Sequence, residues 1–151
     1  HYIALAPDWQ PLHYTQYLAE LVEQCRLVLN HPLDVRVTFH DPCYLGRLNR
    51  EYEAPRLVLA AIPGVETVEM KYAREDGLCC GGGGGRMWLE TPVGERFSDV
   101  RASQAVETGA DYLVTACPFC LVCLEDSAKL IADAELHVLD IAELALKALE
   151  G

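Results

Sequence analysis

Basic side chains are scarce in this chain: 12 Lys and Arg stand against 23 Asp and Glu, for a net charge of −11. Phosphate-rich surfaces are bound by clustered cations, so nucleic acid and anionic membrane are poor partners. Long apolar runs are missing too. Residues 58–65 and the stretch "YLVTACPFCLVCL" are too short or too interrupted to span a bilayer. No signal-peptide pattern opens the chain; it begins with His1 rather than Met, as an excised domain or a processed product would. Nucleotide signatures are lacking as well. There is no GxxxxGK[ST], and the glycine run fits no G-x-G-x-x-G register because Arg86 and Met87 fall where the last glycine belongs. No internal duplication and no low-complexity linker other than that run are visible. What remains is an ordinary globular composition, 51% hydrophobic and 23% charged over 151 residues, suited to one domain with a sizeable core.

Cysteine is what the chain has in excess. Seven are present: Cys25, Cys43, Cys79, Cys80, Cys117, Cys120 and Cys123. An odd number, clustered as an adjacent pair and a CxxCxxC run, fits a secreted disulfide framework poorly. In a reducing compartment it reads as metal-binding or redox-active, which places the chain in the cytoplasm or at the cytoplasmic face of a larger complex. The adjacent pair runs into five glycines, "LCCGGGGGR". Glycine gives up more conformational entropy on folding than any other residue, so the run calls for a backbone requirement rather than a stability gain.

The remaining pattern alternates helix and strand. Residues 13–29 carry an apolar stripe at helical spacing that includes Cys25. Residues 33–39 and 65–72 alternate as strands. Between them a short helix is expected from Ala54 to Ile62, with Pro55 in its first turn and Pro63-Gly64 as its stop. Thr91-Pro92 opens helical sequence ending at Gly109. A buried strand at 111–116 leads into a helix starting at Cys117-Pro118. A strand at 136–139 precedes a terminal helix capped by Asp140 and Glu143. The expected fold class is α/β, a mostly parallel sheet of about four strands flanked by helices. Ligands of such sheets collect at the carboxyl ends of the strands, and the cysteine loops after the first three strands fall on that rim.

Spelled as spacing, the pattern is C-x35-CC-x36-CxxC, from Cys43 through Cys79 and Cys80 to Cys117 and Cys120. With "VTFHDPCYLGR", "LCCGGGGGR" and "ETGADYLVTACPFC", it closely resembles the cysteine-rich CCG domain of heterodisulfide reductase and its relatives, which include iron–sulfur subunits of glycolate oxidase and of anaerobic glycerol-3-phosphate dehydrogenase. The resemblance covers nearly the whole chain, 1–151. It implies an iron–sulfur oxidoreductase domain that uses a noncubane [4Fe–4S] cluster for electron transfer or for disulfide reduction. The implied ligands, for cofactor and metal alike, are Cys43, Cys79, Cys80, Cys117 and Cys120. It also implies that the chain is the C-terminal domain of a larger oxidoreductase. Its partners would be ferredoxin-type iron–sulfur domains and a flavoprotein dehydrogenase, and its substrate a thiol or disulfide. Some family members hold zinc instead, and a zinc-stabilised docking module of a redox complex is the alternative; four of the five cysteines would satisfy tetrahedral zinc.

The residues agree with that implication. Thiolates are the usual ligands of iron–sulfur clusters. Neighbours in an extended strand point to opposite faces, so turning Cys79 and Cys80 to one ligand requires the bend that the glycines permit. Cys117 with Pro118 puts a thiol at a helix N-terminus, whose positive end stabilises thiolate. Cys25 is expected to pack as a small apolar residue and Cys123, one turn beyond Cys120, to pack likewise. His40 is open to three roles: donor to the site, spare zinc ligand, or ordinary loop histidine. Arg47, Lys71, Arg74 and Arg86 lie near the cysteine loops in sequence, either offsetting a cluster's charge or sitting on the surface.

Overall fold

In a computed structural model the chain is described at residues 4, 8–131 and 135–150. Four strands form one parallel sheet: β1 Val35–His40, β2 Val65–Thr67, β3 Tyr112–Thr115 and β4 His137–Asp140. Their spatial order is β2-β1-β3-β4. The register pairs Val35 with Val65, Val37 with Tyr112, and Tyr112 with His137. The helices are α1 Tyr14–Glu23, α2 Glu53–Ala60, α3 Phe97–Val106, α4 Pro118–Ala128 and α5 Ile141–Glu150.

Strand alternation sorts the core into two layers. Val37, Phe39 and Val114 turn to one face and pack with Val58 and Leu59 of α2 and Ile141 and Leu144 of α5. Leu113 turns to the other face and packs with Ala105 of α3, Leu124 of α4 and Met70. Helices thus cover both faces of an all-parallel sheet, the arrangement that such sheets require.

Four boundaries differ from the sequence pattern, each for a local reason. The first helix stops at Glu23 instead of running to 29. Cys25 takes a left-handed φ of 55°, and the Arg26 N–H reaches back to the Leu21 carbonyl at 2.8 Å, a helix-ending turn normally marked by glycine. Cys25 is therefore exposed, not packed on the stripe. The second strand ends at Thr67 rather than 72, because Glu69 swings to Arg56 (2.6 Å) while Met70 drops into the lower core. The helix expected from Thr91-Pro92 begins only at Phe97, where the Asp99 carboxylate accepts from the Gly94 N–H at 2.6 Å and holds the approach as a turn. The second helix is displaced by a residue or two, Glu53–Ala60 in place of 54–62.

Candidate metal centre

Three loops at the carboxyl ends of the strands build the site. β1 ends in His40 and passes through Asp41-Pro42 to Cys43, which opens a π-helical turn, Tyr44–Leu48. After β2 the chain makes a short 3-10 turn, Arg74–Asp76, and arrives at Cys79 and Cys80. β3 leads to Cys117, in extended conformation ahead of α4 with Pro118 at its first position, so Cys120 lies within the first turn. One carboxylate braces two of these loops. Asp41 takes Arg56 Nη1 at 2.8 Å and Nη2 at 3.0 Å, and the Arg74 N–H at 2.8 Å.

The thiols meet as a connected group. Cys43 stands beside Cys79, and Cys79 beside Cys80. The Cys80 and Cys120 sulfurs are 3.2 Å apart, and Cys117 neighbours Cys120. Cys80 and Cys120 are 3% exposed, whereas Cys43, Cys79 and Cys117 are half-buried, so the group has a deep end and an open end. All seven cysteines of the chain are free thiols.

Glycine has two separate tasks here. Gly81, at φ +79°, bends the chain into the left-handed region, and its N–H faces the Cys79 sulfur at 3.3 Å. The next N–H, of Gly82, faces Cys80 at 3.5 Å. That pair of backbone donors serves the two sulfurs from one bend. Gly82 is also needed for space: a Cβ there would lie 2.9 Å from the Cys123 sulfur and 3.6 Å from that of Cys80. Cys123 is thus packed at the flank of the group, partly buried against the lower core.

Acidity is divided among the thiols. A hydrogen bond from Cys120, then His40 and the Gly82 N–H, outweigh burial and pull Cys80 down to about 4. Cys117 is lowered to about 6 by Cys120 and by the backbone N–H groups of Cys120 and Phe119 in the first turn of α4. Cys120, which hydrogen-bonds both, is pushed up as the proton holder of the trio. Burial raises Cys79 against the help of the Gly81 N–H.

Beneath the sulfurs lies a polar pair: His40, which the sequence left open to three roles, and Arg101, which it did not single out. His40 and Arg101 are both fully buried. Arg101 Nε donates to His40 Nδ1 at 3.1 Å. A ring nitrogen of His40 and the sulfurs of Cys80 and Cys120 lie within 4.8 Å of one another. The Nε2 atom makes no well-formed hydrogen bond, although it faces a sulfur whose acidity His40 raises. Burial drives the histidine itself toward the neutral form. Arg101 falls with Ser98, Ala102 and Ala105 on the buried stripe of α3, and an arginine among small residues was the available signal. The cations near the loops in sequence each have a partner of their own. Arg47 bonds the Gly77 carbonyl at 2.8 Å, Arg74 pairs with Glu53, Lys71 lies over Tyr72 at 5.4 Å, and Arg86 over Phe97 at 5.1 Å.

Such a donor set fits an iron–sulfur cluster: five thiols with no carboxylate among them, backbone N–H groups aimed at sulfur, and a buried ring nitrogen and guanidinium with open valences beneath. A cleft of about 340 Å³ opens beside Cys80 and Cys123, with Arg86, Arg96 and Phe97 on its walls.

Residues 37–125 match the family model of the cysteine-rich domain CCG. Among curated proteins, the chain is 44% identical over 140 residues to the probable iron-sulfur-binding oxidoreductase FadF of Bacillus subtilis, covering 92% of this chain and 20% of that one. It is 40% identical over 157 residues to EtfAB:quinone oxidoreductase of Syntrophomonas wolfei, covering 99% and 22%. It is 39% identical over 141 residues to a subunit of the dihydromethanophenazine:CoB--CoM heterodisulfide reductase of Methanosarcina barkeri, covering 93% and 34%. The chain spans about a fifth to a third of the length of these relatives.

Proposed function

Because the chain belongs to the family of cysteine-rich CCG domains, we propose that it is an iron–sulfur electron-transfer domain of a larger oxidoreductase. Cys43, Cys79, Cys80, Cys117 and Cys120 would hold the cluster, of the noncubane [4Fe–4S] kind. The observation that supports this reading is the 3.2 Å approach of the Cys80 and Cys120 sulfurs from two separate loops, with Cys117 beside Cys120 and Cys43 beside Cys79. Bound there, the cluster would supply one-electron chemistry. The chain's own residues would tune and shield it: N–H groups of Gly81 and Gly82 toward sulfur, the apolar walls of Leu113 and Leu124 below, and the cleft beside Cys80 and Cys123 as the way in for a reacting partner. The names of the relatives, a quinone oxidoreductase and one component of a heterodisulfide reductase, support redox subunits as partners, with a disulfide as the substrate class for the open end.

Zinc is the second reading, favoured by one contact: His40, Cys80 and Cys120 lie close enough together to share a single ion. A zinc site would make the domain a docking module. Seven single cysteine-to-serine variants, reconstituted anaerobically under identical conditions, separate the two. Serine offers a hard, weakly acidic hydroxyl in place of soft thiolate. Iron per chain and the EPR signal should collapse in the variants at 43, 79, 80, 117 and 120, and persist in those at 25 and 123. Iron retained without Cys43, or lost without Cys25, contradicts the assignment.

A further inference from the structure

Arg101 poses a problem that its own surroundings leave unsolved. The side chain is fully buried, and no ion pair among the described residues includes it. Asp41 and Glu69 act on it through space, but both are bonded to Arg56. Nη1 is satisfied by the Tyr72 carbonyl at 2.6 Å and Gln104 Oε1 at 2.9 Å, whereas Nη2 has no partner. A buried cation without a counter-charge is strongly disfavoured. Its one link to the cysteine site is His40, which takes the Arg101 Nε–H and lies close to the Cys80 and Cys120 sulfurs.

We propose that Arg101 is the positioning residue of the cysteine site, fixing His40 as its Nε2–H tautomer, turning that donor toward the Cys80 sulfur and keeping a buried positive charge behind the ring. The tautomer follows from donor chemistry alone. Guanidinium has no acceptor, so the 3.1 Å bond from Arg101 Nε requires the lone pair of His40 to be on Nδ1. In the neutral ring the proton is then on Nε2, the nitrogen left to face sulfur. Two consequences separate this role from simple packing. A protonated Nε2 offers no lone pair, so His40 serves the site as a donor and is withheld as a metal ligand. A cation and an N–H near a cluster favour the reduced, more negative state, so the pair raises the reduction potential. This second consequence rests on the iron–sulfur reading; the first rests on geometry.

The test has two arms, both on the 151-residue chain. In the metal-free, reduced protein, long-range proton–nitrogen NMR of the histidine rings reads the tautomer directly. Wild type should show His40 protonated at Nε2 and pyridine-like at Nδ1, and Arg101→Met should lose that preference. His40 protonated at Nδ1 in the wild type would overturn the proposal, and needs no variant to fold. In the anaerobically reconstituted protein, an EPR-monitored redox titration should place the midpoint of Arg101→Met below that of wild type. Arg101→Lys, which keeps charge and a donor, should recover part of the shift. Zinc competing with iron during reconstitution should be taken up more by Arg101→Met, where Nε2 is free to ligate. Equal midpoints and equal zinc uptake with iron retained would contradict the role. Absence of any cluster from the wild type would overturn the iron–sulfur reading instead, leaving the NMR result to decide the tautomer.

Discussion

Gly82 shows how closely a single residue can be specified by the thiols around it. A methyl group there would meet the Cys123 sulfur at 2.9 Å, and overpacking of that kind costs about 1–3 kcal/mol. Gly82→Ala should lower the urea midpoint and reduce iron uptake. Adding Cys123→Ala should restore both, since Cys123 packs beside the group and the offending atom is its sulfur. Failure of the double variant to regain iron would place Cys123 among the ligands. Acidity gives a second residue-scale prediction. Cys117 is lowered to about 6, so in the metal-free, reduced chain its alkylation by iodoacetamide should rise between about pH 5 and 7 and level off above. Its shift also stabilises the fold. With a folded value below the unfolded one, the contribution is fully present above the unfolded thiol range and fades as pH falls through about 6. Cys79, raised by burial, should react only in more alkaline solution; peptide mass spectrometry reads each site, and equal pH profiles would refute the difference. The five thiols stood out in sequence because they fall in loops that follow the strands and match the spacing of the CCG pattern. Arg101 did not, because its importance comes from depth and from an absent carboxylate, neither of which a residue type encodes.

Among the elements, the loops hold their places through one buried clamp. Asp41 and Arg56 are 4% and 11% exposed in their side chains and joined by two hydrogen bonds, while Glu69 and the Arg74 N–H complete the network. Removing one partner from a buried pair strands the other charge, a loss of about 3–5 kcal/mol. Arg56→Met should show a destabilisation of that order in urea unfolding, and the cysteine loops should become protease-sensitive first. A change under about 1 kcal/mol would mean that the pair is better solvated than its burial indicates. Strand positions were readable from alternation of Val35, Val37 and Phe39 and from the apolar 112–115 run. The Asp140–Glu143 cap was readable too: Glu143 accepts from the Asp140 N–H at 2.8 Å, and Asp140 from the Ala142 N–H at 2.9 Å. Element ends were less so, because they were set by tertiary partners. Glu69 left β2 for Arg56, Asp99 held Gly94 ahead of α3, and Cys25 closed α1 in a left-handed turn that no glycine announced.

At the scale of the molecule, the parallel sheet explains why residues 37 to 74 positions apart in sequence, such as Cys43 with Cys80 and with Cys117, share one rim. Parallel strands deliver every carboxyl end to the same edge, and the central β1 and β3 pair His40 with Thr115 there, just ahead of Cys43 and Cys117. No helix among the described residues is long and apolar enough to cross a membrane. The most direct measurement is the metal and sulfide content of the chain after anaerobic purification and reconstitution with iron, sulfide and zinc all available. Iron and acid-labile sulfide are expected in equal amounts, with little zinc. Stoichiometric zinc without sulfide would contradict the iron–sulfur assignment.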